Sequence, residues 1–120
     1  MSLELELGVL LETLGVPVVW GLFGSDVGFP RISLLRVGTV TRYALQGRAD
    51  VETARVQVNI DALSYGELIS LGPAVSHLLT GYRSGSVIRC KELSRRDGSS
   101  ETGGEVVRRQ MLDLQVRYRT

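Results

Sequence analysis

Between Thr53 and Leu79 the hydrophobic period of this 120-residue chain changes once, and that change limits the folds open to it. Ala54, Val56, Val58, Ile60 and Ala62 alternate with Thr53, Arg55, Gln57, Asn59 and Asp61, the two-residue period of a strand with one face in water. From Ser64 the period becomes helical: Leu68, Leu71, Val75, Leu78, Leu79 and Tyr82 recur at spacings of three and four. Ser64 and Glu67 also stand at the spacing of a capping box, in which side chains satisfy orphan backbone donors of the first helical turn. A half-polar strand feeding an amphipathic helix is a scaffold for packing and assembly.

The remaining elements follow from the same reasoning. Leu3, Leu7, Leu10, Leu11 and Leu14 mark one face of a first helix, with Ser2 available as its cap and Gly15 and Pro17 to stop it. Val18-Val19-Trp20-Gly21-Leu22 reads as a short extended segment, and Gly24-Ser25-Asp26-Val27-Gly28 as a turn. Arg31 to Tyr43 is rich in Ile, Leu, Val and Thr and makes a strand, with Gly38 marking a bulge or bend; residues 44–52 connect it to the strand described first. Gly72-Pro73 falls inside the second helix, where a proline costs about 3 kcal/mol or more, so a kink or two short helices are expected there. Gly81 closes that helix, Ser86 to Leu93 is a third long strand, and Glu105 to Arg119 a fourth. Between those strands the segment 94–104 has no apolar residue and is expected as a flexible loop. The order is helix, strand, strand, helix, strand, strand. The economical solution is a single α+β domain over residues 1–120: an antiparallel four-stranded sheet with two helices on one face.

Composition narrows the function. Fourteen basic residues against thirteen acidic ones leave a net charge of +1, which weighs against non-specific nucleic-acid binding as the main task. The hydrophobic fraction of 43% supports a core without a disulfide or metal staple. Cys90 is the single cysteine, so no intrachain disulfide forms and a reducing, cytoplasmic origin is implied; on a strand it reads as a small buried hydrophobe. His77 is the single histidine, beside Leu78 and Leu79, and reads as structural. The glycines follow neither phosphate-loop nor dinucleotide spacing, and no residues stand at metal-ligand spacing. No catalytic residue, cofactor or metal is expected, and neither a signal peptide nor a membrane span is visible.

Charge is where the chain is informative. Thirteen of the fourteen basic residues are arginine, whose flat guanidinium suits interfaces. Arg89, Lys91, Arg108, Arg109, Arg117 and Arg119 lie on the last two strands and Arg95 and Arg96 between them, whereas Glu4, Glu6 and Glu12 lie in the first helix. Asp50, Glu52 and Asp61 surround the middle hairpin. A monomer with acidic and basic regions apart can attract its own copies head to tail, and such contacts close into rings when the rotation permits.

Several stretches resemble the tail terminator, or tail completion, proteins of long-tailed phages. They are Val18-Val19-Trp20-Gly21, Pro30-Arg31-Ile32-Ser33-Leu34, and Ala54-Arg55-Val56-Gln57-Val58-Asn59-Ile60 followed by Ser64-Tyr65. Gly81-Tyr82-Arg83, Arg96-Asp97 and Val116-Arg117-Tyr118-Arg119 complete the set, in order over nearly the whole chain. Asp61 and Leu114 stand where that family tends to carry aromatics. The resemblance implies a structural virion protein: a ring, expected as a hexamer, that caps the tail tube, stops its polymerisation and meets the head-side connector. It further implies assembly in the host cytoplasm, and partners in the tail tube protein, the connector or stopper protein, and genomic DNA that passes without specific binding. Arg95, Arg96, Asp97, Arg108 and Arg109 are the expected assembly interface. A neck or stopper subunit is the near alternative, and a small nucleic-acid-binding module using the strand arginines is the rival from another class.

Overall fold

The computed structural model describes residues 3–21, 28–44, 47–102 and 105–119, with side chains described outside 41–49 and 100–105. The elements run α1 (Leu3–Glu12), β1 (Val18–Trp20), β2 (Arg31–Ala44), β3 (Gly47–Ala62), α2 (Tyr65–Leu79), β4 (Val87–Thr102) and β5 (Glu105–Arg119). The strands form one mixed sheet in the order β1-β2-β3-β5-β4. This corrects the expected antiparallel four-stranded sheet of α-β-β-α-β-β order. The short segment at Val18–Trp20 is a fifth strand, and it pairs parallel to β2, with Val18 opposite Ile32 and Trp20 opposite Leu34. Ile32 N–H donates to the Pro17 carbonyl and Gly21 N–H to that of Leu34, both at 2.9 Å, which extends this short ladder at each end.

The alternation of β3 sets the packing. Ala54, Val56, Val58, Ile60 and Ala62 are all fully buried. Val58 pairs with Leu34 on one side and Leu112 on the other; Val56 pairs with Leu114 and Ala54 with Val116. Leu3, Leu7 and Leu11 of α1 and Leu68, Val75 and Leu79 of α2 complete the same core. Burying each such side chain contributes roughly 1.5–3 kcal/mol relative to exposure. Leu114, at a position where an aromatic was expected from the resemblance, is a fully buried member of this core.

Helix α2 begins as its sequence implies. Ser64 is the N-cap, accepting from the Glu67 N–H at 3.2 Å, and its hydroxyl donates back to the Glu67 carboxylate at 3.2 Å. Of the two arrangements expected at Pro73, the pair of short helices is not found: α2 is one helix from Tyr65 to Leu79. Pro73 lies on the exposed side, as does Ile69, whose carbonyl loses its helical donor, so the cost is met at the surface. Gly72 faces inward, where a Cβ would lie 2.1 Å from the Gln110 Oε1; the missing side chain lets the helix settle onto β5. The helix ends at Thr80, and Gly81 follows with φ of +78°, its N–H reaching the Cys90 carbonyl at 2.9 Å.

Two polar ties hold α1 to the sheet. Glu6, 7% exposed, accepts from the Ser86 N–H at 3.0 Å and from its hydroxyl, just ahead of β4. Gly85 makes the approach possible, since a Cβ there would lie 1.8 Å from the Glu6 Oε1. At the far end of the core Tyr118 donates to the Glu52 carboxylate at 2.7 Å and accepts from Arg36 at 3.1 Å. Arg36 also pairs with Glu4 of α1 and lies 5.3 Å from the Tyr118 ring centre.

The outline is long, 56 × 24 × 23 Å. The cause is the register. β5 stays paired with β3 only between Val51/Arg119 and Ala62/Arg108, so the β4–β5 hairpin overhangs one end of the sheet and the β2–β3 hairpin the other. The expected loop at 94–104 is therefore largely strand: Ser94 to Thr102 continue β4, paired with Glu105 to Asp113. Ser2, residues 24–27 of the glycine-rich turn, and Gly103 and Gly104 lie outside the described residues.

Tyr118 offers a test of this arrangement. Burial, and then the hydrogen bond to Glu52, raise its pKa. A raised folded-state pKa contributes stability below the unfolded value near 10 that is lost as pH rises through the folded value. Tyr118→Phe should cost about 1.5–3 kcal/mol at neutral pH, because it removes the hydroxyl that donates to Glu52 and accepts from Arg36. The variant should also show a shallower decline in melting temperature above pH 10, measured by circular dichroism.

Candidate assembly surface

Both helices lie on the face to which β3 turns its apolar residues, so the opposite face of the sheet carries no covering layer among the described residues. Along that open face three kinds of chemistry are separated. At the β3 C-terminal end Asp61 is 2% exposed and takes a two-point contact from Arg109, at 2.6 and 3.1 Å. Arg31 lies 3.6 Å from the same carboxylate and stacks 4.3 Å from the Phe29 ring centre. The pairing with Asp61 holds the Arg109 guanidinium above its ordinary pKa. In the middle Arg55 makes a two-point contact with Asp113.

At the other end Arg89, Lys91 and Arg117 surround a concavity of about 170 Å³ that also touches Thr53 and Gln115. Cross-strand pairing brings them together: Arg89 lies opposite Arg117, and Arg117 opposite Thr53. No carboxylate pairs with these three cations among the described residues. Like charges placed across a strand pair repel, so the cluster is more stable with an anionic partner than without one. Along β2 the same face carries Leu35, Val37 and Val40, which are 36%, 56% and 65% exposed. A β-bulge between Arg36 and Gly38 displaces Val37, beside Arg55 and Arg96.

The five residues expected at an assembly interface do not form one patch. Alternation sends Arg96 and Arg109 to the open face, with Arg96 opposite Met111 and Arg109 opposite Asp61. Arg95, Asp97 and Arg108 turn toward the helices: Arg95 lies 3.4 Å from Glu92, Asp97 accepts from Gln110 at 3.0 Å, and Arg108 sits 6.0 Å from the Tyr65 ring centre. Of the five, only Arg96 is an exposed cation with no ion pair or ring contact among the described residues. Sequence reading noted Arg89, Lys91 and Arg117 as strand cations but not as a cluster, which needed the register. It missed the apolar strip on β2, although Leu34-Leu35-Arg36-Val37 breaks strict alternation and thereby marks a strand with apolar residues on both faces.

Cys90 does not sit in a reactive setting. Cys90 is 2% exposed and burial pushes its thiol up to about 12, so the thiolate is scarce at neutral pH. His77 is exposed on α2, and no group of three His, Cys, Asp or Glu side chains could hold a metal ion among the described residues. No described helix is long and apolar enough to cross a membrane.

Arg96 and Arg109, both on the open face, should respond differently to mutation. Arg109→Glu places a carboxylate against buried Asp61 and should cost about 1–3 kcal/mol, below the range for a fully buried pair because Arg31 remains. Arg96→Glu removes no ion pair and should shift stability by about 0.5 kcal/mol or less. Urea denaturation of both variants checks the contrast.

No protein-family model and no curated protein matches the chain by sequence. Among solved structures it is similar to a chain in the virion of a native gene transfer agent particle. The superposition has a TM-score of 0.65 at 16% identity and covers 93% of this chain and 85% of the other. At that identity the likeness establishes a shared fold.

Proposed function

We propose that this chain is a structural, non-enzymatic virion protein, and specifically a tail terminator. Copies form a closed ring of six on the end of the tail tube of a long-tailed phage or phage-derived particle. The ring halts tube polymerisation and presents its other side to the head-side connector. The observation that carries this reading is the fold shared, over nearly the full length of both chains, with a component of a gene transfer agent virion. The ordered motifs that resemble tail terminators point the same way.

The physical features fit the role. The sheet has two outer strands, each with an unpaired edge among the described residues, and one open face with an apolar strip and an unneutralised cation cluster. Such a surface is suited to burial against other proteins. Genomic DNA must slide through a tail channel, so the ring holds it without specific contacts, in keeping with the net charge of +1. Arg96 and the β4–β5 overhang, with Arg95, Asp97, Arg108 and Arg109, contribute to contacts with neighbouring subunits or the tube. The protein assembles in the bacterial cytoplasm and is retained in the tail or neck of the particle.

Deletion of the gene from its parent genome tests the assignment. The expected result is tails of irregular length that fail to join filled heads in negative-stain micrographs, with normal morphology restored by the gene in trans. Tails of uniform length joined to heads in the deletion strain would contradict the role. The nucleic-acid reading makes a separate demand: duplex DNA should bind tightly to the purified protein, with affinity falling steeply as salt rises. Weak binding at all salt concentrations is expected.

A further inference from the structure

The sheet ends differ in chemistry as well as in position. At the β1 edge, α1 and β1 enclose an open groove of about 510 Å³. Its apolar walls include Leu5 and Val9, which are 54% and 51% exposed, and its floor includes Trp20. Trp20 is fixed there, because its Nε1–H donates to the Glu4 carbonyl at 2.8 Å and Gly8 leaves room for the ring. Glu4 and Glu12 also line the groove; Glu4 is paired with Arg36, whereas Glu12 is exposed and has no ion pair among the described residues. The first thirty residues contain Glu4, Glu6, Glu12 and Asp26 and no Lys or Arg.

The β4 edge is the reverse. It lies at the opposite end of the sheet, four strand spacings from β1, or about 19 Å. β4 carries Arg89, Lys91, Arg95 and Arg96, all exposed. A register shift between Glu92 and Ser94 pushes out Leu93, an apolar side chain 41% exposed in the middle of these cations. One edge is thus an apolar groove with an acidic rim, and the other an apolar knob with a basic surround. An acidic rim repels phosphate groups, so neither nucleic acid nor an anionic lipid surface suits the groove.

We propose that these two edges are the complementary halves of one head-to-tail contact between copies of this chain. The β4 edge of one copy, with Leu93 flanked by Lys91 and Arg96, docks against the α1–β1 groove of the next, where Leu5, Val9 and Trp20 receive the apolar side chain and Glu12 faces the cations. The two surfaces differ, so the contact is heterologous and propagates from copy to copy until it closes. The contact rests on the ring reading above and names the surfaces that make the ring.

The test uses two single substitutions on the purified full chain, Val9→Asp in the groove and Leu93→Asp on the knob. Both sites are exposed, and circular dichroism melts confirm the fold. Native mass spectrometry of the wild type should show the ring, and each variant alone should stay at the 13.1 kDa monomer mass. An equimolar mixture of the variants should yield a dimer that grows no further, because one intact groove meets one intact β4 edge. A second pair keeps surface charge in play: Glu12→Lys and Lys91→Glu should each weaken the ring, and the two combined in one chain should restore it. Wild-type rings that persist in either aspartate variant would overturn the interface while leaving the ring reading intact, as would a mixture that stays monomeric. Loss of tube binding in the Val9→Asp variant with its ring unchanged would assign the groove to the tube protein and also overturn the proposal. A wild type that forms no ring, alone or on tail tubes, would overturn the ring reading itself.

Discussion

One-sided burial of the sheet governs the rest of this molecule. β3 is central, and every second residue from Ala54 to Ala62 is sealed against the helices, which ties β2 and β5 into the same register. A one-residue slip would turn all of these side chains to water, so the register is strongly specified. The same alternation commits the intervening residues to the other face. Asp61 is buried there without a covering layer because Arg109 and Arg31 close over it, which gives a physical reason for an acid at that position. The strands also outrun one another at opposite ends, so the fold has overhanging hairpins, an open face and two different edges.

Those features share an explanation if the chain works inside an assembly. Isolated domains manage outer strands with short lengths, charges or bulges, and all three devices are visible here: β1 has three residues, and β4 carries exposed cations and two register shifts. Two groups of exposed apolar residues stand together, Leu35, Val37 and Val40 on β2 and Leu5 and Val9 at the α1–β1 groove, while Leu63, Tyr65, Ile69, Leu93 and Val106 lie elsewhere. Charge left without an ion pair among the described residues differs between the two edges, with Glu12 at the α1–β1 groove and Arg89, Lys91 and Arg96 on β4. In a monomer this division does nothing for stability; in a closed series of copies each junction joins unlike surfaces.

Much of this was legible in the sequence because burial on one face leaves a periodic trace. The long strands, both helices, the Ser64 cap and the Gly81 terminus all follow from spacing. β1 is too short for periodicity, and its parallel pairing depends on a return of the chain through Pro17 and the segment before Arg31, which no local pattern encodes. The 94–104 segment is illegible as strand because it has no apolar residue to leave a periodic trace. A hairpin arm with both faces polar has nothing to bury, and its strands are held by backbone pairing to each other. The Gly72-Pro73 pair does not divide α2 into two helices, because the cost of a proline depends on its position. On the exposed side that cost is carried beside the surface, while Gly72 gains close packing against Gln110. The interface residues were the least legible part, since neighbouring arginines such as Arg108 and Arg109 fall on opposite faces of a strand.

The central claim is that this chain is a ring-forming subunit at the head end of a tail. Cryo-electron microscopy of intact particles from the parent genome addresses it most directly. The account predicts six copies of this fold around the tail axis, between the last ring of tube subunits and the head connector, with the β4 edge of each copy against the α1–β1 groove of the next. Particles whose tail-to-head junction is complete without this chain, or that place it elsewhere, would contradict the account.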